Sequence, residues 1–225
     1  MALAYKLCYI TDRRALGTNP VLPWILDAAR AGVGLIQIRE KDLPTRELVA
    51  LAQAAIDGAR GTNARIVVND RLDVALAVGA AGVHLGTQSM PPRAVRECLN
   101  RDFASRKFMS QDFVPADFLV GVSCHSLDEA LEAQAGGADY LLLGPIFTTP
   151  SKLQFGPPLG LPTLMKVAAQ ITIPILALGG ITVERVKPCI EAGATGIAGI
   201  SIFQDCDSVE DRVRELRGEF SKKLE

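Results

Sequence analysis

The sequence predicts an α/β fold, a single (β/α)8 barrel occupying 1–225, and three observations carry that expectation. At 225 residues the chain has the length of one such barrel, roughly 200 to 250 residues, and a second domain would leave each half cramped. Eight short apolar runs recur along it, each followed by a polar or glycine-containing turn and then a segment with helical spacing, the alternation that parallel α/β folds produce. A weak internal repeat supports the count: AGVGLIQI, AAGVHLG, GGADYLLLG and AGATGIAGI each place a small residue and a glycine just before a run, as a helix C-cap leading into a strand would.

The runs, in order, are 5–10 (YKLCYI), 34–38 (GLIQI), 65–69 (RIVVN), 82–85 (GVHL), 119–123 (LVGVS), 139–143 (DYLLL), 174–178 (PILAL) and 195–200 (TGIAGI). Strands this apolar are expected to be covered on both faces, which favours a parallel sheet; a doubly wound open sheet is the structural alternative. After a helix at about 91–100, the segment RDFASRKFMSQDFVPADF is longer than a helix-to-strand turn needs. It reads as an added loop or short helix on the N-terminal face, with contacts in a homodimer as its other use.

In a parallel barrel the C-terminal strand ends converge on one mouth, so polar residues ending an apolar run are the functional candidates. Strand two ends in Gln37, Arg39 and Lys41, which alternation sends to one side with Ile38 and Glu40 on the other. Two cations on one rim suit a phosphate or diphosphate; a solvated rim pair or a salt bridge is the plainer reading. Strand three ends in Asn69, Asp70 and Arg71. A carboxylate beside an amide could hold magnesium, and equally Asn-Asp could cap the following helix.

Strand five ends in Ser123 and His125, the latter one of two histidines and a proton-transfer candidate near neutral pH. Ser126 with Glu129 reads as a capping box. His84, between Val83 and Leu85, reads as a packed residue, and Cys124 lacks the flanking cations that activate a thiol. After strand six, GPIFTTPSKLQFGPPLG reads as a substrate-covering loop in which Thr148, Thr149, Ser151 and Lys152 could grip a diphosphate. Gly179 and Gly180 end strand seven, and Gly199 and Ser201 end strand eight. Glycines there let backbone N–H groups approach a phosphate, the recurring phosphate site of barrels.

Bulk properties exclude other classes. The formal net charge is −1, which argues against a whole-protein attraction to nucleic acid or an anionic membrane. No stretch approaches the 18 or more apolar residues of a membrane span. The five cysteines are scattered without a C-x-x-C pair, so neither a disulfide framework nor a zinc site is indicated, and a reducing cytoplasm suits them.

With those residues in hand, the chain resembles the thiamine phosphate synthase and thiazole tautomerase superfamily along essentially its whole length. The matching segments are QIREK, VVNDRLDVALAVGAAGVHLG, GVSCHS, GADYLLLGPIFTTPSK, GLPTL, IPILALGGI and AGATGIAGISIF. For the synthase the resemblance implies coupling of hydroxymethylpyrimidine diphosphate to a thiazole phosphate with release of pyrophosphate. Arg39, Lys41, Asn69 and Lys152 would bind the diphosphate, Asp70 would hold Mg2+, and Gly180 and the backbone near Ser201 would bind the thiazole phosphate. One departure stands out: synthases follow the strand-four glycine with Gln-Glu-Asp or Gln-Asp-Asp, whose last acid is the second magnesium ligand, whereas here Gly86 is followed by Thr87, Gln88 and Ser89. The resemblance therefore also admits the tautomerase, with His125 as its acid-base residue, and a non-catalytic ligand-binding regulator of the thiamin pathway.

Overall fold

The computed structural model describes residues 5–105, 117–149 and 157–221, the backbone alone at 101–105 and 221. Eight strands alternate with helices: β1 (Leu7–Ile10), α1 (Val21–Ala31), β2 (Leu35–Ile38), α2 (Thr45–Gly58), β3 (Arg65–Asn69), α3 (Leu72–Ala77), β4 (Gly82–Leu85), α4 (Pro92–Ser105), β5 (Leu119–Cys124), α5 (Leu127–Ala135), β6 (Tyr140–Leu143), α6 (Gly160–Ala168), β7 (Ile175–Leu178), α7 (Val183–Glu191) and β8 (Gly196–Gly199), followed by α8 (Ser201–Gln204) and α9 (Val209–Ser221). Every neighbouring pair is parallel and β8 pairs back onto β1, closing the barrel. The expected (β/α)8 architecture is present, and the open-sheet alternative is excluded by that closure.

Each strand of four to six residues is long enough to put two side chains on each face. Outward-facing Tyr9, Ile36, Ile38, Val68, Val83, Val120, Leu141, Ala177 and Ile197 join helix residues such as Ile25, Ala52, Val95, Leu164 and Val186 in one large core. Inward-facing Cys8, Ile10, Leu35, Val67, Leu119, Tyr140, Leu142, Leu176 and Ala198 fill the barrel itself. Burying an aliphatic side chain of this size contributes about 1.5–3 kcal/mol, so the two faces of each strand are both stabilising and the runs read as continuously apolar.

Helix ends follow local chemistry. α1 stops at Gly32, whose φ of 98° is the left-handed C-cap that a side chain resists. α5 starts at Ser126, whose hydroxyl accepts the Glu129 N–H at 3.1 Å. Two sequence expectations change. The helix expected over about 91–100 continues to Ser105, so the first part of the long segment extends a helix; its remainder, 106–116, lies outside the described residues. Asn69 and Asp70 do not cap α3: Arg71 stands at the N-cap and no side chain caps that helix.

The end of the barrel opposite the mouth is tied by charge. On α4, Arg96 donates to the carbonyls of Gly137 and Phe118 and to the Asp139 carboxylate, which in turn accepts the Val120 N–H at 2.6 Å. Arg65 pairs with Asp117 at the start of β5.

Candidate active site

The interior floor of the mouth is built by three strands. Their alternation brings His84 of β4, Ser123 of β5 and Tyr140 of β6 into contact: His84 Nε2 lies 2.9 Å from Ser123 Oγ and His84 Nδ1 lies 3.2 Å from the Tyr140 hydroxyl. The rings of His84 and Tyr140 meet at 5.7 Å. They have room because β5 carries Gly121 there; a Cβ would collide with the tyrosine ring and fall 2.6 Å from His84 Nδ1. Complete burial lowers the His84 pKa to about 3, and the nearby Arg39 cation pushes the same way, so the imidazole is neutral at physiological pH.

Beside this floor, Gln37 is buried and its amide N–H donates to Asn69 Oδ1 at 2.9 Å, while its own Oε1 is buried with no partner among the described residues. A buried acceptor left open costs free energy unless something satisfies it, so Gln37 Oε1 has the capacity to accept a further N–H at this end of β2. Arg39 is half-buried and near enough to His84 for its charge to act on that ring, and Lys41 is exposed in the turn beyond β2. Glu40 points the other way as alternation requires. Its Oε1 accepts the Thr11 hydroxyl at 2.6 Å, its two oxygens accept the Arg13 N–H, and Thr11 Oγ1 accepts the Arg39 N–H at 2.9 Å. Those bonds fix the loop after β1 against the end of β2 and set the backbone from which Arg39 projects. Arg13 and Arg14 then pair with Asp42.

At the end of β3, Asp70 takes φ of 64° and is the one non-glycine with positive φ among the described residues. Its N–H bonds the carbonyl of His84 at 2.8 Å, which turns the chain sharply and leaves the carboxylate exposed at the rim. Ser89 closes the turn after β4 by accepting the Gly86 N–H at 2.8 Å. Among the described residues, no three His, Cys, Asp or Glu side chains group around one point. One rim carboxylate therefore fits a hard cation that brings further oxygen ligands with its substrate, since Mg2+ is commonly bound by one or two carboxylates together with substrate phosphates.

His125 is half-exposed, and its backbone N–H and its Nδ1 both face Glu129 Oε2, at 2.8 and 3.1 Å. The capping box is thus half formed: Ser126 caps as expected, but the Glu129 carboxylate reaches His125 instead of returning to Ser126. Cys124 faces the core and burial pushes its thiol up to about 12, in keeping with a thiol that no flanking cation activates.

The ends of β7 and β8 are adjacent. Gly180, at φ of 62°, is crossed by the chain after β6: a Cβ there would lie 2.6 Å from the Thr148 carbonyl. The Phe147 N–H bonds the Gly179 carbonyl at 3.0 Å, and Arg185 lies over the Phe147 ring while donating to the Gly180 carbonyl. The two glycines therefore hold the loop carrying Thr148 and Thr149 over the strand end. Thr148 and Ser201 are exposed and Thr149 half-buried, and Gly199 ends β8 just before α8. Ser151 and Lys152 lie outside the described residues. Sequence reading missed Tyr140 and Gly121. The signal was a tyrosine at the start of an apolar run, because a buried phenol needs a partner.

The family model described as "Thiamine monophosphate synthase" matches residues 7–104 and 109–203. The chain belongs to this family. It is 41% identical over 210 residues to a protein of Chlorobium luteolum named thiamine-phosphate synthase, covering 93% of this chain and 90% of that one. The protein of the same name from Clostridium novyi is 35% identical over 216 residues, covering 96% and 98%. Among solved structures, the thiamine phosphate pyrophosphorylase from Pyrococcus furiosus superposes with a TM-score of 0.83 at 34% identity, covering 99% of this chain and 98% of that one.

Proposed function

We propose that this protein is a thiamine phosphate synthase, a transferase that couples hydroxymethylpyrimidine diphosphate to a thiazole phosphate and releases pyrophosphate. What supports this reading is a barrel mouth whose strand ends carry a buried open acceptor, two cations, a rim carboxylate and adjacent glycine-rich turns, in a chain of this family. Gln37 Oε1 accepts an N–H of the pyrimidine. Arg39 and Lys41, with Asn69 and the Thr148, Thr149 and Lys152 loop, hold the diphosphate. The backbone about Gly179, Gly180, Gly199 and Ser201 holds the thiazole phosphate.

The reaction breaks the carbon–oxygen bond to the diphosphate and forms a bond from the thiazole nitrogen to the same carbon. Cations aimed at the leaving group stabilise charge as it develops there, which is the work of Arg39, Lys41 and Lys152. Ser123, at the floor, supplies a hydroxyl to the reacting end. Mg2+ held by Asp70 and by the diphosphate itself would supply further neutralisation of the leaving pyrophosphate. The five cysteines, unpaired in the structure, suit a cytoplasmic enzyme.

Ser89 at the position of the usual second acid favours a second reading, a thiazole tautomerase with His125 moving the proton. An assay with purified protein separates the two. Thiamine phosphate formed from hydroxymethylpyrimidine diphosphate and thiazole phosphate, and dependent on magnesium, is the expected result. Failure to form it, together with isomerisation of a thiazole carboxylate phosphate, would replace the synthase by the tautomerase; tight binding of thiamine phosphate without turnover of either kind would indicate a regulator.

A further inference from the structure

The His84, Ser123 and Tyr140 contacts have a direction that bears on how Ser123 acts. Tyr140 is fully buried, and its hydroxyl has one hydrogen-bond partner among the described residues, His84 Nδ1. A buried O–H that keeps its hydrogen unused pays a desolvation cost, whereas an unused lone pair costs less. The phenol therefore donates to Nδ1. Neutral imidazole then carries its proton on Nε2, which donates to Ser123 Oγ at 2.9 Å. With one oxygen lone pair occupied from below, the Ser123 hydrogen is turned toward the open mouth.

We infer that Tyr140 and His84 form a hydrogen-bond relay that fixes Ser123 as a hydrogen-bond donor toward the reacting diphosphate, with both relay members acting as positioning residues. The inference rests on the synthase reading for the identity of the acceptor and on geometry for the relay. Two features support a built arrangement. Gly121 leaves the space in which the two rings meet, and a side chain there would displace both. The relay also spans three successive strands, so the barrel register itself sets its distances. No proton needs to pass along it; its effect is orientation, which matters because a donor aimed in advance at developing negative charge requires no reorganisation during the reaction.

The test uses the full chain and two readouts. In Tyr140→Phe the phenyl ring keeps the packing while the O–H is lost. Its kcat for thiamine phosphate formation is expected to fall roughly 10-fold, the size of one net hydrogen bond, with the KM for thiazole phosphate unchanged. In a Ser123→Ala background the same substitution should have no further effect, because the relay then has nothing to orient. The second readout is the 15N spectrum of the two histidines, assigned with His125→Asn: His84 should be the Nε2–H tautomer in wild type, with its Nδ1 resonance shifting in Tyr140→Phe. A Tyr140→Phe enzyme at full rate, additive losses in the double variant, or an Nδ1–H tautomer in wild type would each overturn the relay. Wild-type protein that forms no thiamine phosphate would remove the synthase reading, and the tautomer would still decide the relay.

Discussion

Glu129 Oε2 accepts the backbone N–H of His125 at 2.8 Å and stands 3.1 Å from its Nδ1, so one carboxylate on the first turn of α5 fixes both the backbone and the ring of the histidine beside the mouth. A ring held at one nitrogen presents the other to its surroundings in a set orientation. That suits either proton transfer or substrate placement, and the two uses differ in how much rate is lost with the ring.

The synthase reaction as written moves no proton to or from carbon, so His125→Asn is expected to retain coupling activity within about 10-fold. General acid-base catalysis contributes roughly 100-fold or more. Steady-state kinetics of this variant therefore discriminate: a loss of that larger size would assign His125 an acid-base role and turn the reading toward the isomerase.

On the proposed synthase reading, the metal dependence turns on Asp70 and Ser89. Asp70→Asn keeps the shape and the strained turn, since asparagine tolerates positive φ, but removes the carboxylate at the end of β3; magnesium-dependent turnover should be lost. Ser89→Asp is expected to do the opposite. A carboxylate can still accept the Gly86 N–H that the serine accepts at 2.8 Å, and it adds a hard oxygen ligand where family synthases carry one. Titrating activity against magnesium should give a lower half-saturating concentration in Ser89→Asp, and an unchanged curve would separate that position from the metal.

How much of this was legible beforehand depends on the kind of signal. Seven of the eight strands lie inside their apolar runs and β5 passes the end of its run by one residue, to Cys124, because burial on both faces leaves an uninterrupted pattern that cannot be confused with an amphipathic surface element. Gln37, Arg39, Lys41, Asn69, Asp70 and Ser123 were legible as polar residues ending such runs. Side-chain partnerships across strands were not. The sequence predicts a packed His84 and the residue is buried, yet its bond to Ser123 depends on the register of β4 against β5, and local sequence carries no record of that. The Asn-Asp cap failed for a different reason: Asp70 adopts a left-handed turn to bond the His84 carbonyl, a contact between neighbouring strand ends that outcompetes local capping.

Arg96 ties one helix to two strand starts. It donates to two carbonyls and to the Asp139 carboxylate, joining α4 to the starts of β5 and β6. Its side chain is 29% exposed and that of Asp139 34%, so it is screened less than a surface pair. Arg96→Ala strips donors from acceptors that cannot all be rehydrated, and is expected to lower stability by about 2 kcal/mol. Urea denaturation measures this directly; a change under about 0.5 kcal/mol, typical of an ordinary surface substitution, would show that water replaces the arginine without cost.

Glu40 gives a pH dependence whose sign is fixed by its surroundings. Burial raises its pKa, and the Thr11 hydroxyl and Arg13 N–H offset part of that rise. An acid whose folded pKa lies above its unfolded value binds its proton more tightly when folded, so the associated stabilisation is fully present below the unfolded value, near 4.3 for a free glutamate, and is lost as pH rises through the folded value. Glu40→Gln carries no titrating group and should lack this component. Whatever the offset between the two proteins at pH 8, the wild type should gain on the variant as pH falls toward 4.5. Denaturation curves across that range decide it. If the wild type instead loses on the variant as pH falls, the hydrogen bonds from Thr11 and Arg13 outweigh burial, and Glu40 holds the β1 loop to the end of β2 as a stabilised carboxylate.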